Sequence, residues 1–416
     1  MKVLELPAYF YPEKISSAHL DDDLRRKMAQ SCMDTIVYVS VPTRNISDNL
    51  WKEFRKKKFE YMYDGHLEVH RFSMFREGRN PVARALRYSL CWVKQFNRGL
   101  FAKNINVIFL ASTPPIQGML GGILSRLKKI PFVYNLQDIF PDSLVGTGLA
   151  KKGGLLWKIG RMIEDFTYRN ADKIIVISED FKRNIMAKGV PEDKIEVIYN
   201  WVDEQAVVDI PRSENKLFDR YGLDRSKFYI TYCGNIGLTQ NMDMLMEVAK
   251  ELERELPDVR FVLIGEGAAK SRVEEIIREK QISNVTLLPF QPYEDISHVF
   301  SLGDASLVIS KPGVGENSVP SKTWSIMSAS RPVLINFDEN ELKDIVADYE
   351  CGIFTKAGNK ETFKASIAKL YDNPELCRLY GRNGRRFVME HLTKEVGTQK
   401  YVDVIKAVSK SKRKIK

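Results

Sequence analysis

Short β-branched runs alternate with amphipathic stretches along nearly the whole chain. Runs at 2–6, 35–41, 67–72, 106–111, 132–136, 173–178 (KIIVIS) and 194–199 (KIEVIY) read as strands. Helical periodicity at 17–30, 84–103, 116–127 and 179–188 falls between them. Such alternation predicts an α/β fold with a parallel sheet covered on both faces. The period is lost at 200–227, which carries Pro211, Gly222 and mixed charge. It restarts with strands at 228–233 (FYITYC), 260–264, 285–288, 305–310 and 333–335, and helices at 241–255, 268–280, 294–302 and 321–330. Helical patterns at 374–391 and 393–409 precede a basic end. The expected organisation is an N-terminal Rossmann-like domain at 1–203, a linker at 204–226, a second Rossmann-like domain at 227–392, and a C-terminal helix with a basic tail at 393–416. Doubly wound sheets bind ligands beyond the carboxyl ends of their strands, so two such domains facing across a cleft are expected.

Length agrees with this division, because 416 residues exceed what one core holds, roughly 250–300. A hydrophobic share of 44% with 28% charged residues excludes a disordered or collagen-like chain. Lys+Arg 64 against Asp+Glu 54 leaves a net charge of +10, which suits an anionic partner without choosing among phosphorylated ligands, acidic membranes and nucleic acid. The five cysteines are scattered with no CxxC pair, which implies buried free thiols in a reduced compartment and no cysteine zinc site. Glu5 and Pro12 argue against a signal peptide at the start. The uncharged stretch 105–124 has the length of a membrane span. Pro114, Pro115, Gly118, Gly121 and Gly122 break it into a strand, a tight loop and a helix of small residues.

Three glycine-containing loops carry candidate chemistry. Gly234-Asn-Ile-Gly237 follows a strand and precedes a helix, where backbone can approach a phosphate. Gly265 and Gly267 occupy the same place after the next strand, without the third glycine of a dinucleotide fingerprint. The chain has no GxxxxGK[ST] loop. The most informative stretch is SKPGVGENSVPSK at 310–322. It brings the Ser321 hydroxyl, a helix start and Lys322 to one point, a cradle for pyrophosphate, with Glu316 and Asn317 placed to hold sugar hydroxyls. A capped helix after an irregular loop would read the same way.

The string VPSKTWSIMSASRPVL at 319–334 resembles the donor-site helix of bacterial family 4 glycosyltransferases of the GT-B fold. The resemblance continues through KVLELPAYFYP at 2–12, NLQDIFPDSL at 135–144, VIYNWVD at 197–203, the Gly234 turn and VTLLPFQPY at 285–293. The nearest subgroup resembles transferases of amino sugars in O-antigen and capsule synthesis. The resemblance implies a retaining, metal-independent transferase using a nucleotide diphosphate-sugar, with a UDP-sugar favoured and no cofactor. It implies Gly234, Asn235, Ser321 and Lys322 at the diphosphate, Phe290, Gln291 and Ser325 at the base and ribose, Asn317 at the donor sugar, and Glu316 and Asp138 as catalytic residues. Where many members carry a Glu-x7-Glu pattern, this chain has Asn317 and Ser325. Asn235 and Gln240 replace a frequent Arg and Lys, and Ser112-Thr-Pro-Pro115 replaces a frequent His.

The resemblance also implies an acceptor in the first domain, with Ser17 and His19 in its loop. Basic and aromatic residues interleave in WKEFRKKKFEYMY at 51–63 and again along 84–103, as suits an anionic membrane. A solvated face over buried aromatics would share this pattern. Lipid-linked saccharide acceptors of similar enzymes favour peripheral attachment to the cytoplasmic face of the membrane, with no nucleic acid expected. The alternatives are a nucleotide-sugar 2-epimerase of the same architecture and a non-catalytic partner subunit.

Overall fold

The computed structural model describes residues 1–13, 18–44, 46–78, 80–146, 150–315 and 319–411. The chain divides into two units, Met1–Tyr199 with Gly397–Lys416, and Asn200–Val396.

The first unit is built on an eight-stranded sheet. Its strands are β1 (Lys2–Glu5), β2 (Asp34–Ser40), β3 (Phe59–Met62), β4 (Leu67–Phe72), β5 (Val107–Ala111), β6 (Phe132–Leu136), β7 (Lys173–Val176) and β8 (Ile195–Val197). They lie in the order β3-β4-β2-β1-β5-β6-β7-β8. Every pairing is parallel except β3 with β4. That antiparallel edge lies inside the basic-aromatic segment, which also forms the helix Asp48–Lys56. Hydrophobic alternation is weak there, since Phe59 and Tyr61 both face solvent. The strand order reverses between β1 and β5, so the loops after these two strands border a crevice.

The uncharged stretch resolves into β5 and the helix Ile116–Lys128. Its glycines let that helix approach its neighbours closely. A Cβ at Gly121 would lie 2.4 Å from the Phe132 ring, and one at Gly118 would lie 2.4 Å from the Thr167 side chain. Thr167 belongs to the helix Leu155–Asn170, which the hydrophobic pattern did not predict because its first turns expose leucines. Among the described residues no helix is long and apolar enough to cross a membrane.

The second unit holds β9 (Phe228–Cys233), β10 (Val259–Ile264), β11 (Val285–Leu288), β12 (Ala305–Ile309), β13 (Val333–Phe337) and β14 (Gly352–Lys356). Their order is β11-β10-β9-β12-β13-β14, all parallel. The reversal falls between β9 and β12. Buried clusters cover both faces, with Leu245, Phe261 and Phe363 on one and Phe218, Tyr229 and Leu302 on the other. Phe218 comes from the helix Lys216–Tyr221. The segment expected as a linker is therefore packed on this sheet at that helix. Its Asn215 side chain accepts from Leu217 N and donates to His298 O at 2.8 Å.

All five cysteines are free. Cys91, Cys351 and Cys377 are buried as expected, whereas Cys32 is exposed in a left-handed turn after a helix and Cys233 is half-buried.

Replacing Gly121 by Val should lower stability by roughly 1–3 kcal/mol through overpacking against Phe132. Gly78→Val, where a Cβ meets nothing within 4 Å, should be near neutral. Urea midpoints compare the two, and equal midpoints would show that the helix–sheet spacing tolerates a side chain.

Candidate active site

In the second unit the turns after β9 and β10 are stacked backbone against backbone. Gly234 N donates to Ile264 O at 3.0 Å, and Ile236 N donates to Glu266 O at 2.8 Å. Gly234 and Gly265 adopt φ of +133° and +154°. A Cβ on Gly265 would sit 1.9 Å from Gly234 O, so this turn admits only glycine. Gln240 Oε1 closes the first turn by accepting from Gly237 N at 3.0 Å. Asn235 is exposed, and its side chain packs between the two turns, where a Cβ on Gly267 would meet its Oδ1 at 2.7 Å.

Lys322 reaches this turn from the loop after β12. Its Nζ lies 3.9 Å over the ring of the buried Tyr232, and a Cβ on Gly234 would lie 3.2 Å from it. Tyr232 is itself fixed by donating to Asn235 O at 2.6 Å. Among the described residues Lys322 Nζ has no hydrogen-bond or ion-pair partner. Burial lowers its pKa from 10.5 to about 8. The adjacent Cys233 thiol offers no counter-charge, because burial pushes its pKa up to about 11.

A cavity of about 240 Å³ opens beside this ammonium, lined by Thr239, Gln240, Ser310, Val314, Pro320 and Phe337 among others. The Ser310 hydroxyl, buried just after β12, has no hydrogen-bond partner among the described residues. Asp338, just after β13, holds the loop below it by accepting from Gly313 N at 3.0 Å and Gly315 N at 2.7 Å. The site therefore sits at the switch point between β9 and β12 and sets a cation and a hydroxyl, neither with a hydrogen-bond partner among the described residues, against the close-packed Gly234 and Gly265 turns.

The structure brings Gly234, Asn235 and Lys322 together. Ser321 is exposed and makes no capping bond, and the helix behind it is short, Lys322–Ser328. Ser325 lies one turn further and is half-buried. Phe290 follows β11 and is 68% exposed, which leaves its ring face free. Gln291 is buried and its amide is fully engaged. Its Nε2 donates to Tyr221 Oη at 2.8 Å and to Pro289 O at 2.7 Å, while its Oε1 accepts from Arg220 at 3.1 Å. Its side chain thus shapes the loop after β11. Glu316, Asn317 and Ser17 lie outside the described residues. Ser310, Gln240 and Asp338 were missed as site residues, although Ser310 and Gln240 stood inside or beside the quoted motifs.

In the first unit Asp138 follows β6. The Ser112 hydroxyl accepts from Gln137 N at 3.0 Å and Asp138 N at 3.2 Å. That serine thereby builds the Asp138 turn. The Asp138 carboxylate accepts from Ser143 Oγ at 3.2 Å, and partial burial raises its pKa above the usual carboxylate value. Tyr401, from the C-terminal helix, donates to Asn135 Oδ1 at 3.0 Å behind it. His19 is exposed in the first turn of the helix Ala18–Gln30. Among the described residues no three His, Cys, Asp or Glu side chains cluster as a metal site.

Two family descriptions match in sequence along the chain: glycosyltransferase family 4 at residues 25–206, and glycosyl transferases group 1 at residues 213–387. The chain is 28% identical over 220 residues to the putative colanic acid biosynthesis glycosyl transferase WcaI of Escherichia coli K12, covering 51% of this chain and 53% of that one. It therefore spans about half the length of that relative. It is 24% identical over 306 residues to the probable glycosyltransferase WbjE of Pseudomonas aeruginosa, covering 74% of this chain and 73% of that one. A sucrose-phosphate synthase from Thermosynechococcus elongatus superposes with a TM-score of 0.76 at 14% identity over 98% of both chains. HepE of Anabaena in complex with UDP superposes with a TM-score of 0.72 at 16% identity, over 98% of this chain and 100% of that one. With the two family descriptions together matching most of the chain and 98% of it superposing on a solved structure of this fold, the protein belongs to the family 4 glycosyltransferases of the GT-B fold.

Proposed function

We propose that this chain is a retaining, metal-independent hexosyltransferase that moves an N-acetylated amino sugar from a UDP-sugar to a lipid-linked saccharide in surface polysaccharide synthesis. The observation that carries this reading is the Lys322 ammonium, without an ion-pair partner among the described residues, held against the Gly234 turn at the switch point of the second sheet. A desolvated cation without a counter-ion is costly, and a diphosphate is the ligand that relieves the cost. UDP in the HepE structure and the colanic acid role in the name of WcaI support the donor and the pathway class.

In the proposed transfer the bond from the anomeric carbon to the diphosphate oxygen breaks as the acceptor oxygen bonds to the same face. The acceptor proton passes to the departing diphosphate. Lys322, beside the Gly234 turn, stabilises the charge that develops there, the electrostatic role that dominates many transfer reactions. Ser310 supplies a donor in the adjoining cavity, and the exposed Phe290 ring offers the base a stacking face. Asp138, set by Ser112, is the proposed catalytic carboxylate of the first unit, and Glu316 is proposed on the sequence resemblance alone. An anionic membrane is the proposed setting. In the basic-aromatic segment Lys52, Lys56 and Lys58 are exposed, and Arg55 and Arg76 stack over Trp51 at 5.1 and 5.6 Å.

Lys322→Ala should weaken UDP binding about tenfold to a hundredfold, the range of a lost charge-assisted contact, with the circular dichroism spectrum retained. Unchanged affinity in calorimetry would remove Lys322 from the site. Lys322→Met should leave the thermal midpoint of the ligand-free protein unchanged or raised, because it removes an unpaired buried charge; a clear drop would mean that the ammonium has a structural partner. Lys322 loses its proton through about pH 8 in the free protein, so UDP affinity should fall as pH rises above that value. Lys322→Arg should abolish that fall, and a pH response identical to the parent's would assign it to another group.

A further inference from the structure

Four large apolar side chains stand in solvent at the start of the helix Leu155–Asn170. Leu155 is 75% exposed, Leu156 61%, Ile159 46% and Met162 71%. At helical spacing Leu155, Ile159 and Met162 project within about 60° of one another, with Leu156 to one side. The opposite face of the helix is fully used. A Cβ on Gly160 would lie 2.7 Å from Pro141 and 2.8 Å from Phe140, and Glu164, Thr167, Tyr168 and Asn170 are buried. The exposed stripe is therefore a second apolar face on a helix whose packing face is already occupied.

Its surroundings are cationic. Residues 151–163 contain Lys151, Lys152, Lys158 and Arg161 and no acidic residue. Arg161 is paired with Glu164 and Asp165. The three lysines are exposed and have no ion-pair partner among the described residues. Apolar side chains ringed by unpaired cations match a bilayer whose headgroups are anionic, since one set enters the acyl boundary and the other meets the phosphates. The stripe carries no polar group to specify a protein partner. Gly160 rests on Phe140 and Pro141, immediately after the Asp138 turn, so lipid bound here lies next to the proposed acceptor end of the first sheet.

We infer that the first two turns of this helix are the element that docks the enzyme on an anionic lipid surface, with Leu155, Leu156, Ile159 and Met162 inserted and Lys151, Lys152 and Lys158 on the headgroups. This rests on the proposed membrane setting and assigns it to one surface. Co-sedimentation of the full chain with sucrose-loaded vesicles tests it, using phosphatidylcholine alone and phosphatidylcholine with phosphatidylglycerol. The parent should bind the mixed vesicles and bind the neutral ones far less. Leu155→Ser with Met162→Ser, and separately Lys151→Glu with Lys152→Glu and Lys158→Glu, should each reduce the partition coefficient by about tenfold or more. UDP affinity should be unchanged in both, which shows that the protein is folded. Parent-like vesicle binding by both variants would overturn the assignment and leave the membrane setting to another surface. Failure of the parent itself to bind anionic vesicles would overturn the setting as well. A self-association of the parent that the serine variant abolishes, without vesicle binding, would make this face a protein interface and overturn the inference.

Discussion

A largely desolvated ammonium group with no hydrogen-bond or ion-pair partner among the described residues is the constraint on which the Gly234 turn depends. Lys322 rests on the Tyr232 ring, and that cation–π contact offsets only part of the lost hydration. The Gly234 and Gly265 turns lie backbone against backbone, and the missing side chain at Gly234 is what lets the ammonium come this close to the turn. Asp338 in turn fixes the loop that delivers Lys322. These contacts leave the cation exposed to one direction, beside a small cavity with a free hydroxyl. In the proposed function this electrostatic cost is relieved by a bound diphosphate, the usual trade between stability and function.

The first unit uses a milder version of the same economy. The Ser112 hydroxyl accepts two consecutive backbone amides and so shapes the turn that presents Asp138. Asn135 and Tyr401 lock the strand end behind it. The carboxylate then sits in a partly desolvated place that raises its affinity for a proton. Small polar residues thereby give one carboxylate a fixed orientation without an ion pair.

Much of this was legible from the chain. Strands β4, β6, β9 and β11 fall at the residues their apolar runs indicated: β6 and β9 are buried parallel strands with near-continuous apolar sequence, and β4 alternates buried and half-buried positions over most of its length. The Gly234–Lys322 pairing was legible because both motifs follow strand ends. Strand β3 was not, because an edge strand with exposed aromatics lacks a clean period. The helix Leu155–Asn170 was hidden because its first turns are apolar on the outside. Gln291 illustrates a different limit. Its place beside Phe290 was readable, yet only coordinates show its amide committed to Arg220, Tyr221 and Pro289. Ser310 and Asp338 act through a loop that folds back on β13, a long-range contact that no local pattern encodes.

The most direct measurement is the titration of the Lys322 ammonium by NMR of reductively methylated protein, with Lys322→Arg identifying its resonance. The account requires a midpoint near the value of about 8 in the free protein, moving upward when UDP is added. A midpoint at the ordinary lysine value that UDP leaves in place would contradict it.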